Sequence, residues 1–218
     1  MDWRDLSLGA ELGRALPVPL LVDNDLRSST TAELLFGMGS DHDDFLVLGI
    51  GVVLERRVQR GANGFSGEFG HLPVDPAGPR CNCGNGGCLQ ALVGQTALLE
   101  RARRAGVGLG SRDGLAELID AAEGGERAVL TILEEAGELL GRSVAGVVNV
   151  LAIKAIKVIG ESHVLWPFLG PAFTAAAVAE TIEPLRDLEI TVSPWRDTEH
   201  ARGAACLLLA RSEAITRP

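Results

Sequence analysis

Four side chains with metal-binding chemistry fall within one short stretch. Residues 67–90 read GEFGHLPVDPAGPRCNCGNGGCLQ and contain His71, Cys81, Cys83 and Cys88, three of the chain's four cysteines. Thiolate sulfur and imidazole nitrogen are the donors that a tetrahedral zinc ion takes. A Cys-x-Cys followed five residues later by another Cys lets one glycine-rich turn supply three of them. His71 would then complete a closed shell of three thiolates and one imidazole. A closed shell leaves no position for a reactive water, so such a metal is structural. Two plainer readings stand beside it: a disulfide pair, or small apolar cysteines without a ligand. Disulfide frameworks suit small secreted domains, whereas this chain has 218 residues and no apolar signal segment at its start. The fourth cysteine, Cys206, lies in a helical apolar run and reads as core filler.

A second group of polar residues follows the run VPLLV (18–22), which predicts a short buried strand with Asp23, Asn24 and Asp25 at its carboxyl end. Ligands of open α/β sheets collect at the carboxyl ends of strands. Asp and Asn also favour turns and helix N-caps, which is an ordinary explanation of the same residues. From Arg60 the segment RGANGFSGEFGH is glycine-rich, as expected where backbone passes close to a ligand or another strand. Glu68 and His71, three positions apart, could face one polyol. The plainer alternatives are a solvated loop carboxylate for Glu68 and metal ligation alone for His71.

GEFGH, a Pro/Gly loop and CNCGNGGCLQ closely resemble the signature of the ROK family of bacterial sugar kinases and sugar-responsive repressors. Further matches are VDND (22–25), RGANGFSGE (60–68) and ARGAACLLL (201–209), so the resemblance covers nearly the whole chain. It implies an α/β architecture, a lobe of the actin/hexokinase-like (ribonuclease H-like) ATPase fold, with structural zinc on His71, Cys81, Cys83 and Cys88. It also implies a sugar held by Asn24, Asp25, Glu68 and His71, with help from the position of Gln90. In the family's kinases the aspartate matching Asp25 is the general base that takes a proton from the sugar hydroxyl, work suited to a carboxylate within reach of it. The histidine matching His71 holds zinc through one ring nitrogen and sugar through the other, so loss of zinc would also abolish sugar binding.

The sequence departs from the kinase pattern in several places. The turn Gly49-Ile50-Gly51 is short where kinases carry a longer glycine-rich turn near the nucleotide phosphates, and Glu55-Arg56-Arg57 stands where a glycine-containing hairpin is usual. Gln90 replaces a glutamate, keeping length and hydrogen bonding but losing charge. Glu161 follows Gly160 where a Gly-Gly pair adjoins the adenosine, and its negative charge disfavours ATP. Neither the family's Asp-x-Gly-x-Thr phosphate motif nor a winged helix-turn-helix occurs in the chain. Residues 1–218 therefore resemble the C-terminal part of a longer protein, closest to the NagC/XylR type of regulator. The function expected is a sugar-sensing effector and oligomerisation domain. The alternative is the C-terminal lobe of a ROK sugar kinase, using ATP and magnesium. A third, blander reading is a zinc-stabilised remnant that binds no ligand.

Periodicity supplies the elements that must position these residues. Apolar residues at near-helical spacing predict a loop and short helix before Pro17, and Ser28–Gly37 reads as a helix opened by a Ser/Thr capping cluster. Strands are predicted at 45–50, 52–58, 154–160 and 188–193. Helices are predicted at 89–105, 113–122, 126–151, 167–182 and 198–211, the first with basic residues late and the third with charge pairs on a solvated face.

Composition bounds the rest. An apolar fraction of 46% over 218 residues can bury a real core. Net charge −9 and pI near 5.0 argue against a phosphate-tracking surface, so DNA would be bound only through a further N-terminal domain. No apolar run is long enough to span a membrane, and the cytoplasm is the default compartment. Family resemblance implies a homodimer or homotetramer.

Overall fold

The computed structural model describes residues 6–48, 51–110, 114–196 and 198–216. Its centre is a mixed sheet of strands β1 (Phe45–Val47), β2 (Gly51–Leu54), β3 (Arg57–Val58), β4 (Ala155–Val158) and β5 (Glu189–Val192), in the order β3-β2-β1-β4-β5. β1, β2 and β3 form an antiparallel meander, whereas β4 runs parallel to both β1 and β5. Alternation along the strands divides the core in two. Phe45, Val47, Val53 and Ala155 pack with Met38 and Leu34 on one face, beneath helix α2 (Asp25–Phe36). Leu46 and Ile156 face helices α6 (Arg127–Leu151) and α7 (Trp166–Glu180) on the other, against Val144, Val148, Phe173 and Ala177.

The remaining helices are α1 (Leu8–Ala15), α3 (Leu89–Val93), α4 (Gln95–Arg104), α5 (Gly114–Glu123) and α8 (Thr198–Thr216). α4 and α5 fold onto the first half of α6 through Leu98, Ala102, Leu118, Ala122, Val129 and Leu133. α6 and α7 cross closely because Gly137 and Gly141 put no side chain between them. A β-carbon at either would collide with a carbonyl of α7, that of Leu169 or Phe173. Cys206 is buried on α8, as core filler should be. Glu138 and Arg142 pair on the solvated face of α6.

Four expectations are corrected. Residues 18–22 form no strand, and Val18, Leu20 and Val22 are exposed. Among the described residues no backbone–backbone hydrogen bond involves 17–23, and without a ladder partner an apolar extended run does not become a strand. α2 starts at Asp25 rather than Ser28, because Asn24 is its N-cap: Asn24 Oδ1 accepts from the amides of Leu26 (3.0 Å) and Arg27 (3.1 Å). The Ser/Thr cluster lies inside the helix instead. Ser28, Ser29, Thr30 and Thr31 are buried and return their hydroxyls to carbonyls in the preceding turn. The run 52–58 is a hairpin, turned at Glu55 (φ 51°) and Arg56 (φ 58°). Two non-glycine residues tolerate this left-handed turn because Asp44 Oδ1 accepts the Glu55 amide (2.6 Å) and the Asp43 carbonyl accepts the Arg56 amide (2.9 Å). The helix expected at 89–105 breaks at extended Gly94 into α3 and α4. Gly49 and Ile50 of the shortened turn lie outside the described residues. No described helix is long and apolar enough to cross a membrane.

Candidate functional site

The segment 68–90 has little regular structure, yet its backbone is tied at almost every turn. Val74 and Asp75 donate to the Gly87 carbonyl, Cys81 to Asn85, Gly87 to Pro79 and Leu89 to Leu72. Gly87 is required here, since φ is +66° and a β-carbon would strike the Asp75 carbonyl oxygen. The folding brings ligand atoms of His71, Cys81, Cys83 and Cys88 within 4.8 Å of one another. His71 Nδ1 lies 3.4 Å from Cys81 Sγ, and Cys83 Sγ lies 3.6 Å from Cys88 Sγ. Around a tetrahedral zinc with bonds of about 2.3 Å to sulfur and about 2.0 Å to nitrogen, those edges come to about 3.5 and 3.8 Å. The donor set and its spacing therefore fit such an ion. All four cysteines are free, so the disulfide reading has no counterpart in the structure.

The thiols are not equivalent. The Asn85 backbone hydrogen bond holds Cys83 below the ordinary thiol range. Burial, reinforced by the neighbouring thiols, pushes Cys88 up to about 12. A cation bound among these sulfurs would oppose the effect of burial and favour the thiolate form of Cys88.

His71 has its other face toward the expected sugar residues. Its Nε2 is 3.6 Å from Glu68 Oε2, and Glu68 shares a small pocket with Asn24, Arg27, Gln59 and Ser66. Asn24, Glu68 and His71 are thus brought to one region by the α2 N-terminus and the segment before the cysteines. Because Asn24 Oδ1 is taken by the helix cap, its amide NH₂ is what it can offer a ligand. Asp25 does not border the Glu68 pocket: its Oδ1 accepts the Leu26 amide (2.8 Å), and it lines a groove with Pro19, Leu20, His200 and Leu208 that Asn24 borders as well. Gln90 is exposed and borders a third space with Arg80 and Gln95, although it packs close to Gly70, next to His71.

The residues that hold this arrangement together are Asp23, Arg27 and Arg60, of which the sequence singled out Asp23 alone, and as part of an acidic turn. The Asp23 side chain is 4% exposed and is clamped by Arg27 Nε (3.2 Å) and Arg60 (2.6 Å). Arg27 also donates to the Gly64 carbonyl (2.9 Å), fastening the glycine-rich loop to the first turn of α2. The only local signal was the four-residue step from Asp23 to Arg27; the partner in Arg60 is 37 positions away.

Comparison with known proteins agrees with the motif. A model of the ROK family matches residues 1–211. The chain is 30% identical over 171 residues to the xylose repressor of Bacillus subtilis, covering 74% of this chain and 44% of that protein. It is 29% identical over 231 residues to the glucokinase of Thermotoga maritima, covering 96% of this chain and 72% of that protein. Among solved structures, a ROK family transcriptional regulator, a homolog of the E. coli MLC protein, matches with TM-score 0.80 and 28% identity, covering 95% of this chain and 56% of that one. The chain spans about half the length of the regulators it matches. The solved relatives are ROK sugar kinases and repressors, and the mixed α/β sheet described above is their actin/hexokinase-like fold.

Proposed function

The chain belongs to the ROK family, and on that premise we propose that residues 1–218 are the sugar-sensing part of a transcriptional regulator, built around a structural zinc. Zinc is held by His71 Nδ1 and the sulfurs of Cys81, Cys83 and Cys88. A hexose or amino sugar binds to Asn24, Glu68 and His71, with Asp25 and Gln90 at its margin. The observation that carries this reading is the two-sided imidazole of His71: thiols lie on Nδ1 and the Glu68 carboxylate on Nε2. A metal on one nitrogen fixes the tautomer, leaving Nε2–H as a donor to Glu68 or to a sugar oxygen.

Several features favour sensing over phosphoryl transfer. Asp25, the residue a kinase would use as base, accepts the Leu26 amide of its own helix and does not line the Glu68 pocket. The hairpin after β2 is built on Glu55 and Arg56, and the exposed Glu161 follows Gly160 at the carboxyl end of β4. Sugar binding would bias the arrangement of a homodimer or homotetramer in the cytoplasm, and so the affinity of a DNA-binding segment outside these residues.

Calorimetry of the zinc-loaded chain against glucose, xylose and N-acetylglucosamine tests this. Saturable binding to at least one sugar, weakened about tenfold or more by Glu68→Ala, is expected, since truncation would leave hydroxyls unpaired. Silence across the panel with zinc bound would count against it. The 29% identity to a glucokinase keeps a kinase as the second reading. It requires sugar-dependent ADP release that Asp25→Asn abolishes.

A further inference from the structure

Glu68 stands on the wall of two adjoining spaces of opposite chemistry. The pocket it shares with Asn24 measures about 20 Å³, room for a hydroxyl and little more. Next to it, sharing Gly51, Gly67 and Glu68, is a cavity of about 280 Å³ between the sheet and α6, lined by Leu46, Leu48, Val52, Phe69 and Val147. Among the described residues Glu68 is the one charged residue on that wall. This space is partly open to solvent, a groove and not a sealed core void, and an apolar space of about 150 Å³ is already enough to take benzene. A space about twice that size, apolar except where it meets a sugar-binding carboxylate, is shaped for the apolar part of an amphiphile.

We infer that the preferred ligand is a sugar carrying an apolar substituent, an alkyl or aryl glycoside, with hydroxyls on Glu68 and the substituent in this cavity. The inference rests on the sugar-binding reading above and adds the class of sugar. The side chains that form it come from β1, β2, β4 and α6 and from Phe69 and Leu72 on either side of His71, so the substituent would lie between the sheet, α6 and the loop that carries the metal-binding residues. Each methylene moved from water into such a space strengthens binding by about fourfold when fully buried.

The test compares methyl and hexyl β-glycosides of glucose, xylose and N-acetylglucosamine, with the free sugars and hexan-1-ol, by calorimetry on the zinc-loaded chain and on Val147→Phe, which fills the cavity. The hexyl glycoside of at least one sugar should bind tenfold or more tighter than its methyl counterpart, and Val147→Phe should bring that ratio close to one. Leu72→Trp, at a position 36% exposed on the rim, gives the same readout if Val147→Phe does not fold. Equal affinities for methyl and hexyl forms would overturn the inference and leave sugar sensing intact. A hexyl advantage that survives both substitutions would also overturn it, since the tail then lies elsewhere. If neither free sugars nor glycosides bind, the sugar reading falls, and binding of hexan-1-ol alone would show a cavity without a sugar site.

Discussion

Two irregular segments of this protein behave in opposite ways. Residues 68–90 contain five glycines and little regular structure, yet many of their amides are bonded in place and the donor atoms of His71, Cys81, Cys83 and Cys88 converge within 4.8 Å. Residues 16–23 alternate like a strand, with Leu16, Val18, Leu20 and Val22 apolar, yet those side chains are exposed and the backbone has no ladder partner among the described residues. Order therefore follows from satisfied backbone groups and cross-links between distant positions, and an apolar pattern without a partner does not supply it. The turn that joins the second segment to the fold shows the transition: disorder of pattern ends at Asp23, where two arginines seize one buried carboxylate.

The contrast can be broken or sharpened experimentally, and the largest effect is expected from the proposed zinc. Stripping it with a chelator, or making Cys88→Ser, should lower the melting temperature by about 10 °C or more, because ligand binding and loop folding are one event and each kcal/mol moves a protein of this size by about 2–4 °C. Differential scanning calorimetry beside metal analysis checks this, and an unchanged melting temperature after complete stripping would make the cluster a passive group of cysteines. Next comes Arg27→Ala. It removes one partner of a carboxylate that is 4% exposed and a bond to the Gly64 carbonyl, and should destabilise by about 2–4 kcal/mol in urea unfolding. A loss below about 0.5 kcal/mol would show that Arg60 alone satisfies Asp23.

Asn24→Ala should take about 1 kcal/mol through the lost N-cap, and its effect on sugar affinity, read separately, distinguishes cap from ligand. A Gly replacement restores most of the stability and none of the binding, if Asn24 does both. The smallest effect is expected for Leu20→Ser and Val18→Ser, within about 0.5 kcal/mol, since both side chains already meet solvent. A loss of several kcal/mol there would mean that another surface covers the segment.

Much of this was legible in the chain. Helices α5, α6 and α8 and strands β4 and β5 lie close to where periodicity puts them, because long amphipathic patterns and β-branched runs depend on near neighbours. The clustering of His71, Cys81, Cys83 and Cys88 was legible for a similar reason: three of the four fall within eight positions, so one turn can gather them. The start of α2 was misread because Ser and Thr in buried helix positions bond the preceding turn instead of capping, a choice made by the packing of α2 against its neighbours. Gly94 was passed over inside an apolar period, although extended backbone there divides α3 from α4.

By itself, then, the amino-acid sequence determined the family, the cluster of His71 with three cysteines and most of the helical and strand segments, all of which rest on residue chemistry and short spacings. The tertiary structure decided what needs distant partners. It left residues 18–22 without a strand to pair with, clamped Asp23 between Arg27 and Arg60, and placed Asn24, but not Asp25, on the wall of the Glu68 pocket. It also opened the apolar cavity beside Glu68, whose walls come from strands and a helix about a hundred positions apart. Contacts at that separation are set by how the layers pack, and local pattern carries no record of them.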